Sequence, residues 1–313
     1  MAMRLQRANQ WQSSTCATIP RASHPARRVT VTGHRPVPVP VLVSAGLRSC
    51  FSVTPNLLRS RSAPHSVTRT RRAAVVQASW GAPVTFSTAK VVRTKLIAPG
   101  MHCILVDIGL DLVAAYTKPG QYIQAKVQEA DKAAFFAIAS PPDLNQSTVE
   151  LLIKVQPGST AETICGLEQG AKLSVSPVQG KGYPIDTVPA EQFPTLLLFA
   201  TGSGISPIKA LIESGLLEVS KRKEVHLFYG TQDAEFTAYT ELIPVWNALG
   251  IKVHQVLSGN TNTYVQNALE KHAEKLLAHP TKTAVILCGQ KEMCAAVTEI
   301  CKNRGVEQFL TNF

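Results

Sequence analysis

Hydrophobic and polar positions change rhythm once along this chain. Up to about residue 177, short apolar-rich runs alternate with turn signals. The runs cover 84–96, 102–108, 122–127, 135–139, 149–155 and 172–176, and the breaks fall at Pro99-Gly100, Pro119-Gly120, Pro141-Pro142, Pro157-Gly158 and Gly170. Strand-length runs at this spacing, separated by residues that turn the chain, predict a small antiparallel β-barrel. One helical stretch, 161–167, precedes the last run.

From Pro194 the pattern becomes strand, helix, strand. Apolar strands are predicted at 195–200, 224–229, 251–257 and 283–288, with helices at 207–213, 240–249, 263–277 and 292–303. Such alternation implies a parallel sheet wrapped by helices. Pro244 fits if Thr240 caps its helix and the proline falls in the first turns. Gly and Pro concentrate in 178–193, where the two patterns meet. The expected layout is a leader over 1–78, a barrel domain over 79–190 and an α/β domain over 191–313. The fold class is α+β and α/β in two domains: a Greek-key antiparallel β-barrel followed by a Rossmann-like parallel sheet with flanking helices.

The second domain turns on one run. Leu196 to Ala200 is a continuous apolar block, the mark of a strand buried on both faces. Thr201, Gly202, Ser203 and Gly204 follow, a loop that lets the backbone turn tightly and a ligand approach. Ser206 is placed to cap a helix and Pro207 to open it. Backbone amides and the helix dipole then converge where a phosphate would sit. The other strand ends also run into glycine: Gly230 before Thr231, Gly259 after Ser258, and Gly289 after Cys288. Ligands of open α/β sheets bind at these carboxyl ends.

The net charge of +11 suggests a nucleic-acid partner until it is located. Residues 1–79 hold twelve arginines and no acid, whereas 80–313 holds twenty basic and twenty-one acidic residues. The folded part is therefore nearly neutral and carries no basic footprint for DNA or RNA. An Arg-, Ser- and Thr-rich, acid-free start reads as an organelle transit peptide, with plastid (stroma) first and mitochondrion as the alternative. Cys16 and Cys50 would leave with it. The remaining Cys103, Cys165, Cys288, Cys294 and Cys301 show no Cys-x-x-Cys spacing, so a zinc site or disulfide framework is not expected. The histidines show no ligand spacing either, so no metal is expected. No later stretch reaches 18 apolar residues, and a soluble mature chain is expected.

Several motifs stand in the order found in the ferredoxin–NADP reductase-like superfamily of flavoprotein reductases, and the chain resembles that superfamily over about 84–313. The resemblance places Gln121 before the flavin motif, and Phe136, Ala137, Ile138, Ala139 and Ser140 on the motif itself. Ile153 and Lys154 fall on the strand near the adenine end. Gly158, Ser159 and Thr160 fall on the loop that holds the flavin pyrophosphate. Thr201, Gly202, Ser203, Gly204, Ile205, Ser206 and Pro207 match the pyrophosphate loop for the nicotinamide dinucleotide. Gly230, Thr231, Gly289 and Met293 match further nucleotide contacts, and Ser258, Tyr264 and Gln266 match contacts to its 2′-phosphate. Cys288 would lie near the nicotinamide ring; the competing reading is a small core residue. Phe313 would cover the flavin; the competing reading is a frayed end.

The departures bear on chemistry. The motif's arginine falls on Ala134, its tyrosine on Phe136 and its hydroxyl residue on Ala137. Flavin would then be held by backbone donors, by the helix start after Gly158, and by Phe136 stacking on its ring. The arginine expected after Ser258 is Gly259, which weakens any preference for NADPH. An acid expected near the end is Thr311, and with Ala137 this argues against ferredoxin as the usual partner. Lys221, Arg222 and Lys223 read as a solvated helix end. The resemblance implies an FAD-dependent oxidoreductase that takes hydride from NAD(P)H and passes electrons to an unknown acceptor, for which a small redox protein fits. The alternative is a catalytically silent relative acting as a nucleotide-binding or scaffold module.

Overall fold

Two sheets carry the fold of the computed structural model, which describes residues 84–259 and 261–312. The first holds β1 (Ser87–Ala98), β2 (Met101–Asp107), β3 (Tyr122–Lys126), β4 (Ala134–Ala137), β5 (Thr148–Lys154) and β6 (Lys172–Val175). Its order is β4-β3-β6-β1-β2-β5, with every neighbouring pair antiparallel. Beyond β4, a bridge between Ile138 and Leu151 closes the sheet onto β5. The Ala139 amide donates to the Glu150 carbonyl at 2.7 Å beside it. Closure removes the free edges that an open sheet would expose.

Alternate residues point inward and make one core. Val91, Ile104, Val106, Ile123, Ala125, Phe136, Leu151, Ile153 and Val175 belong to it, and Ile164 of α2 (Thr160–Cys165) plugs it. A short helix, α1 (Leu110–Val113), lies between β2 and β3.

The second sheet is parallel: β7 (Thr195–Thr201), β8 (Glu224–Thr231), β9 (Ile251–Leu257), β10 (Thr283–Cys288) and β11 (Gln308–Thr311), in the order β11-β10-β7-β8-β9. Its helices are α3 (Ile205–Glu213), α4 (Ile243–Ala248), α5 (Val265–Leu276) and α6 (Lys291–Asn303). The central strand β7 explains its own composition. Leu196, Leu198 and Ala200 pack on one face with Ile208 and Leu211 of α3, whereas Leu197 and Phe199 pack on the other with Leu269 and Val297. A strand buried on both sides has no polar face, and each such leucine contributes about 1.5–3 kcal/mol by leaving water. Pro244 lies in the first turn of α4, after a 3-10 turn at Thr240–Leu242.

Three expectations change here. Strand β11 was not predicted; its four residues pair with β10 alone. Arg222 is not solvated. It is 8% exposed, and its guanidinium donates to the carbonyls of Leu217, Phe193 and Val188 at 2.7, 2.5 and 2.8 Å. Val188 and Phe193 lie in the irregular chain between the sheets and Leu217 in the connection from α3 to β8, and the planar fork supplies donors to all three. Helix α3 starts at Ile205, and its N-cap is Gly204 with no side-chain cap. The Ser206 hydroxyl is used elsewhere.

Candidate functional site

The strand order of the parallel sheet reverses between β7 and β10. Their carboxyl ends lie side by side, while α3 and α6 leave toward opposite faces. A crevice opens at such a point. Two glycines let its walls meet. A Cβ on Gly204 would lie 2.5 Å from the Cys288 carbonyl oxygen, and one on Gly289 would overlap the Thr201 side chain. Thr201 Oγ1 accepts the Gln290 amide at 2.9 Å. Gly202 is different: its φ is 51°, and a Cβ there would meet nothing within 4 Å. Packing requires Gly204 and Gly289, while Gly202 leaves the backbone open to a ligand. Tyr229, fully buried, supports this loop by donating to the Gly202 carbonyl at 3.3 Å.

The Ser206 hydroxyl crosses to the barrel. It donates to the Ala137 carbonyl at 3.0 Å, so the start of α3 and the end of β4 are joined by one hydrogen bond. Three residues along α3, Lys209 Nζ reaches the Ala139 carbonyl at 3.3 Å, Glu150 at 3.3 Å and Glu213 at 2.8 Å. Tyr239 donates to Glu150 at 2.7 Å, and its ring lies under the same ammonium at 5.2 Å. Burial pushes the Tyr239 phenol far up, and the Glu150 carboxylate adds to this, so the hydroxyl remains a donor.

Cys288 ends β10 half-buried at this crevice. Desolvation pushes its thiol up to about 12, against a smaller opposing effect from its hydrogen bond with Tyr183. It is a neutral thiol at physiological pH and can pack against a ring without acting as a nucleophile. Gly230 sits where a Cβ would touch Val265 and Thr201, at 3.0 and 3.2 Å. Thr231 is buried, its hydroxyl paired with Thr237 at 2.9 Å. Ser258 donates to the Thr231 carbonyl at 3.3 Å, Tyr264 is 49% exposed, and Gln266 Oε1 is buried without a partner among the described residues.

Other positions are committed to structure. Gln121 Oε1 accepts the Thr117 and Lys118 amides, and its Nε2 donates to the Gly180 carbonyl, which braces the Pro119-Gly120 turn. Ile138 and Ile153 lie in the barrel core and Met293 in the core under α6. Ser140 accepts the Glu150 amide at 3.0 Å through its hydroxyl. Lys154 is exposed. Phe136 faces Ile123 in the barrel core at 8% exposure, rather than outward to stack on a ring. Its neighbour Phe135 is 64% exposed, and its ring lies 5.8 Å from Tyr122. Strand alternation is the cause: Phe135 and Ala137 share the outer face with Tyr122 and Gln124. Phe313, like residues 1–78, lies outside the described residues.

A closed barrel bonded to a switch-point crevice defines a class: the two-domain flavoprotein reductases. Three comparisons agree. Residues 198–299 match the oxidoreductase NAD-binding domain. The chain is 34% identical over 227 residues to the fruit protein pKIWI502 of Actinidia deliciosa, covering 67% of this chain and 71% of that one. It is 27% identical over 219 residues to the electron transfer subunit of dihydroorotate dehydrogenase B (NAD(+)) of Enterococcus faecalis, covering 67% and 76%. Among solved structures, a ferredoxin NADP+ reductase from Neisseria gonorrhoeae with bound FAD and NADP has a TM-score of 0.61 at 17% identity, over 72% of this chain and 98% of that one. The ferredoxin-NADP+ reductase of Plasmodium falciparum with 2'P-AMP has a TM-score of 0.59 at 18% identity, over 72% and 96%. This chain belongs to the ferredoxin–NADP reductase-like superfamily, the NAD(P)H-dependent flavoprotein oxidoreductases, whose cofactors are FAD and NAD(P)H.

The residues suit the two ends of FAD unequally. For the ring there is an open outer face on β3 and β4, with two exposed or half-exposed aromatic side chains. Gly158 has φ 72° and nothing within 4 Å of a Cβ, as a phosphate cradle requires. The Gly158 amide, however, donates to the Glu162 carboxylate at 2.7 Å. Ser159 and Thr160 donate to the carbonyls of Gln156 and Lys132, at 2.6 and 2.7 Å. A phosphate there must displace Glu162, and Ala134 offers no cation in return.

Proposed function

We propose that this chain is an oxidoreductase that draws reducing equivalents from NAD(P)H, uses bound flavin, and delivers electrons to a second protein. The observation that carries the reading is the Ser206–Ala137 hydrogen bond, which sets the dinucleotide loop against the flavin strand. Gly202 leaves its backbone open to the pyrophosphate, and Cys288 with Gly289 floors the crevice where a nicotinamide ring would lie. Phe135 and Tyr122 offer an aromatic outer face to the flavin ring. The flavin, when bound, supplies hydride acceptance and electron release; the chain supplies position and exclusion of water. No proton donor is needed for hydride transfer, so the neutral Cys288 and the absent hydroxyl at Ala137 are compatible with it. The name of the Enterococcus relative, an electron transfer subunit, supports a protein acceptor.

Anaerobic titration of the purified chain tests this. Flavin absorbance at about 450 nm, bleached by NADH or NADPH, is the expected result. A colourless chain that ignores added FAD would favour the second reading, a silent nucleotide-binding or scaffold module. Glu162 closing the Gly158 amide is the observation behind that reading.

We further propose that residues 1–78 direct the chain to the plastid. A fluorescent fusion of that segment should colocalise with chlorophyll; colocalisation with mitochondria would select the alternative.

A further inference from the structure

The adenosine end of the crevice carries acid where a phosphate-binding site needs base. The loops after β8 and β9 are joined by two hydrogen bonds, Ser258 amide to Thr231 carbonyl at 3.0 Å and Gly259 amide to Gln232 carbonyl at 2.7 Å. The Asp233 carboxylate sits against the second of these residues. A Cβ built on Gly259 would lie 2.5 Å from one Asp233 oxygen and 3.0 Å from the other. A side chain at 259 could enter only by moving the Asp233 carboxylate. With glycine at 259, the Asp233 carboxylate stands here without the guanidinium that would grip a 2′-phosphate.

The surroundings agree. From Glu224 to Ile251 the chain has no lysine or arginine, but it has Asp233, Glu235 and Glu241. From Val253 to Glu270 there is again no lysine or arginine. Val265, at the start of α5, packs over Gly230, which brings the neighbouring Gln266 to this end of the sheet. Its buried Oε1 has no partner among the described residues. In a sheet of this topology the adenosine half of a dinucleotide extends from the central glycine loop toward the second strand's end. There a carboxylate accepts a ribose hydroxyl and repels a phosphate dianion.

We propose that Asp233 makes this site select NADH over NADPH: its carboxylate accepts a hydrogen bond from the 2′-hydroxyl and excludes the 2′-phosphate by like charge. The inference rests on the dinucleotide site proposed above and adds its specificity.

Isothermal titration of the full chain with NAD+ and with NADP+ tests it without requiring flavin or turnover. NAD+ should bind at least about tenfold more tightly at low salt, and the gap should narrow as ionic strength rises and screens the repulsion. Asp233→Asn should close most of the gap, chiefly by tightening NADP+; Asp233→Ser with Gly259→Arg should reverse the preference. NADP+ bound as tightly as NAD+ by the unmodified chain would overturn this proposal and leave the reductase reading intact. An Asp233→Asn chain that keeps the full gap would overturn it as well. A chain that binds neither dinucleotide would overturn both.

Discussion

The Ser206 hydroxyl lies 3.0 Å from the Ala137 carbonyl oxygen and donates to it across the boundary between the two sheets. Ser206 is 2% exposed, so water cannot easily replace the bond. Ser206→Ala should lower stability by about 1 kcal/mol, read from a urea midpoint. It should slow flavin reduction more than it weakens dinucleotide binding, because it loosens the placement of one ring against the other. Stopped-flow reduction at saturating dinucleotide separates the two effects.

Gly202 and Gly204 should respond differently to the same substitution. Gly204→Ala forces a methyl to 2.5 Å from the Cys288 carbonyl oxygen and should unfold or strongly destabilise the second domain. Gly202→Ala meets no neighbour and should cost about 1 kcal/mol for its positive φ. It should nevertheless abolish dinucleotide binding, because the new methyl projects into the space over the loop. Thermal melts paired with calorimetric titration check both.

Phe135→Ala and Phe136→Ala should also part company. Phe136 is in the barrel core, and its loss should cost about 3–5 kcal/mol. Phe135 is exposed, and its loss should leave the melting point nearly unchanged. Flavin affinity should fall about tenfold in that variant, the equivalent of one aromatic stack. Retained flavin affinity would place the ring elsewhere.

Stability should be greatest on a plateau between about pH 6.5 and 9. His254 Nε2 and His226 Nδ1 are 2.9 Å apart, and His226 Nε2 lies 3.1 Å from Glu224. Neutral rings satisfy this chain, with His254 donating to His226 and His226 to Glu224. Burial, with the charges of His226, His272 and Lys252, lowers His254 from 6.5 to about 4. The unfolded chain therefore takes up its proton first, and stability should fall as pH drops from 6.5 toward 4. At the other end, burial raises Cys103, Cys288 and Cys301 from 9.0 to about 12. The unfolded chain ionises first there, and stability should fall as pH rises from 9 toward 12. Urea midpoints across pH trace both limbs, and His254→Gln should flatten the acid one.

Most strands and helices were legible because each has its own rhythm. Leu196–Ala200 announces a doubly buried strand without any partner in view. Strand β11 was not legible, since Gln308–Thr311 is short and takes its identity from β10. Side-chain destinations were least legible. Phe135 and Phe136 are the same residue type one step apart, and only pairing to Tyr122 and Ile123 tells them apart. Arg222 stands between two lysines and looks solvated until three distant carbonyls converge on it. His226, His254 and His272 are far apart in sequence, yet the first two stack with Phe228 and the ring of His272 lies tilted against them. Asp233 drew no notice because its meaning depends on Gly259, its neighbour only through the sheet.

The buried ammonium of Lys209 is shared between a carboxylate of the barrel and one of its own helix. Parting the two sheets would take Glu150 away from that buried charge, so turnover should involve no slow closing of halves. Its cleft should act as a fixed slot, with arrival and departure of the dinucleotide setting the tempo. Added viscogen should then slow turnover in proportion to solution viscosity, with no separate conformational phase.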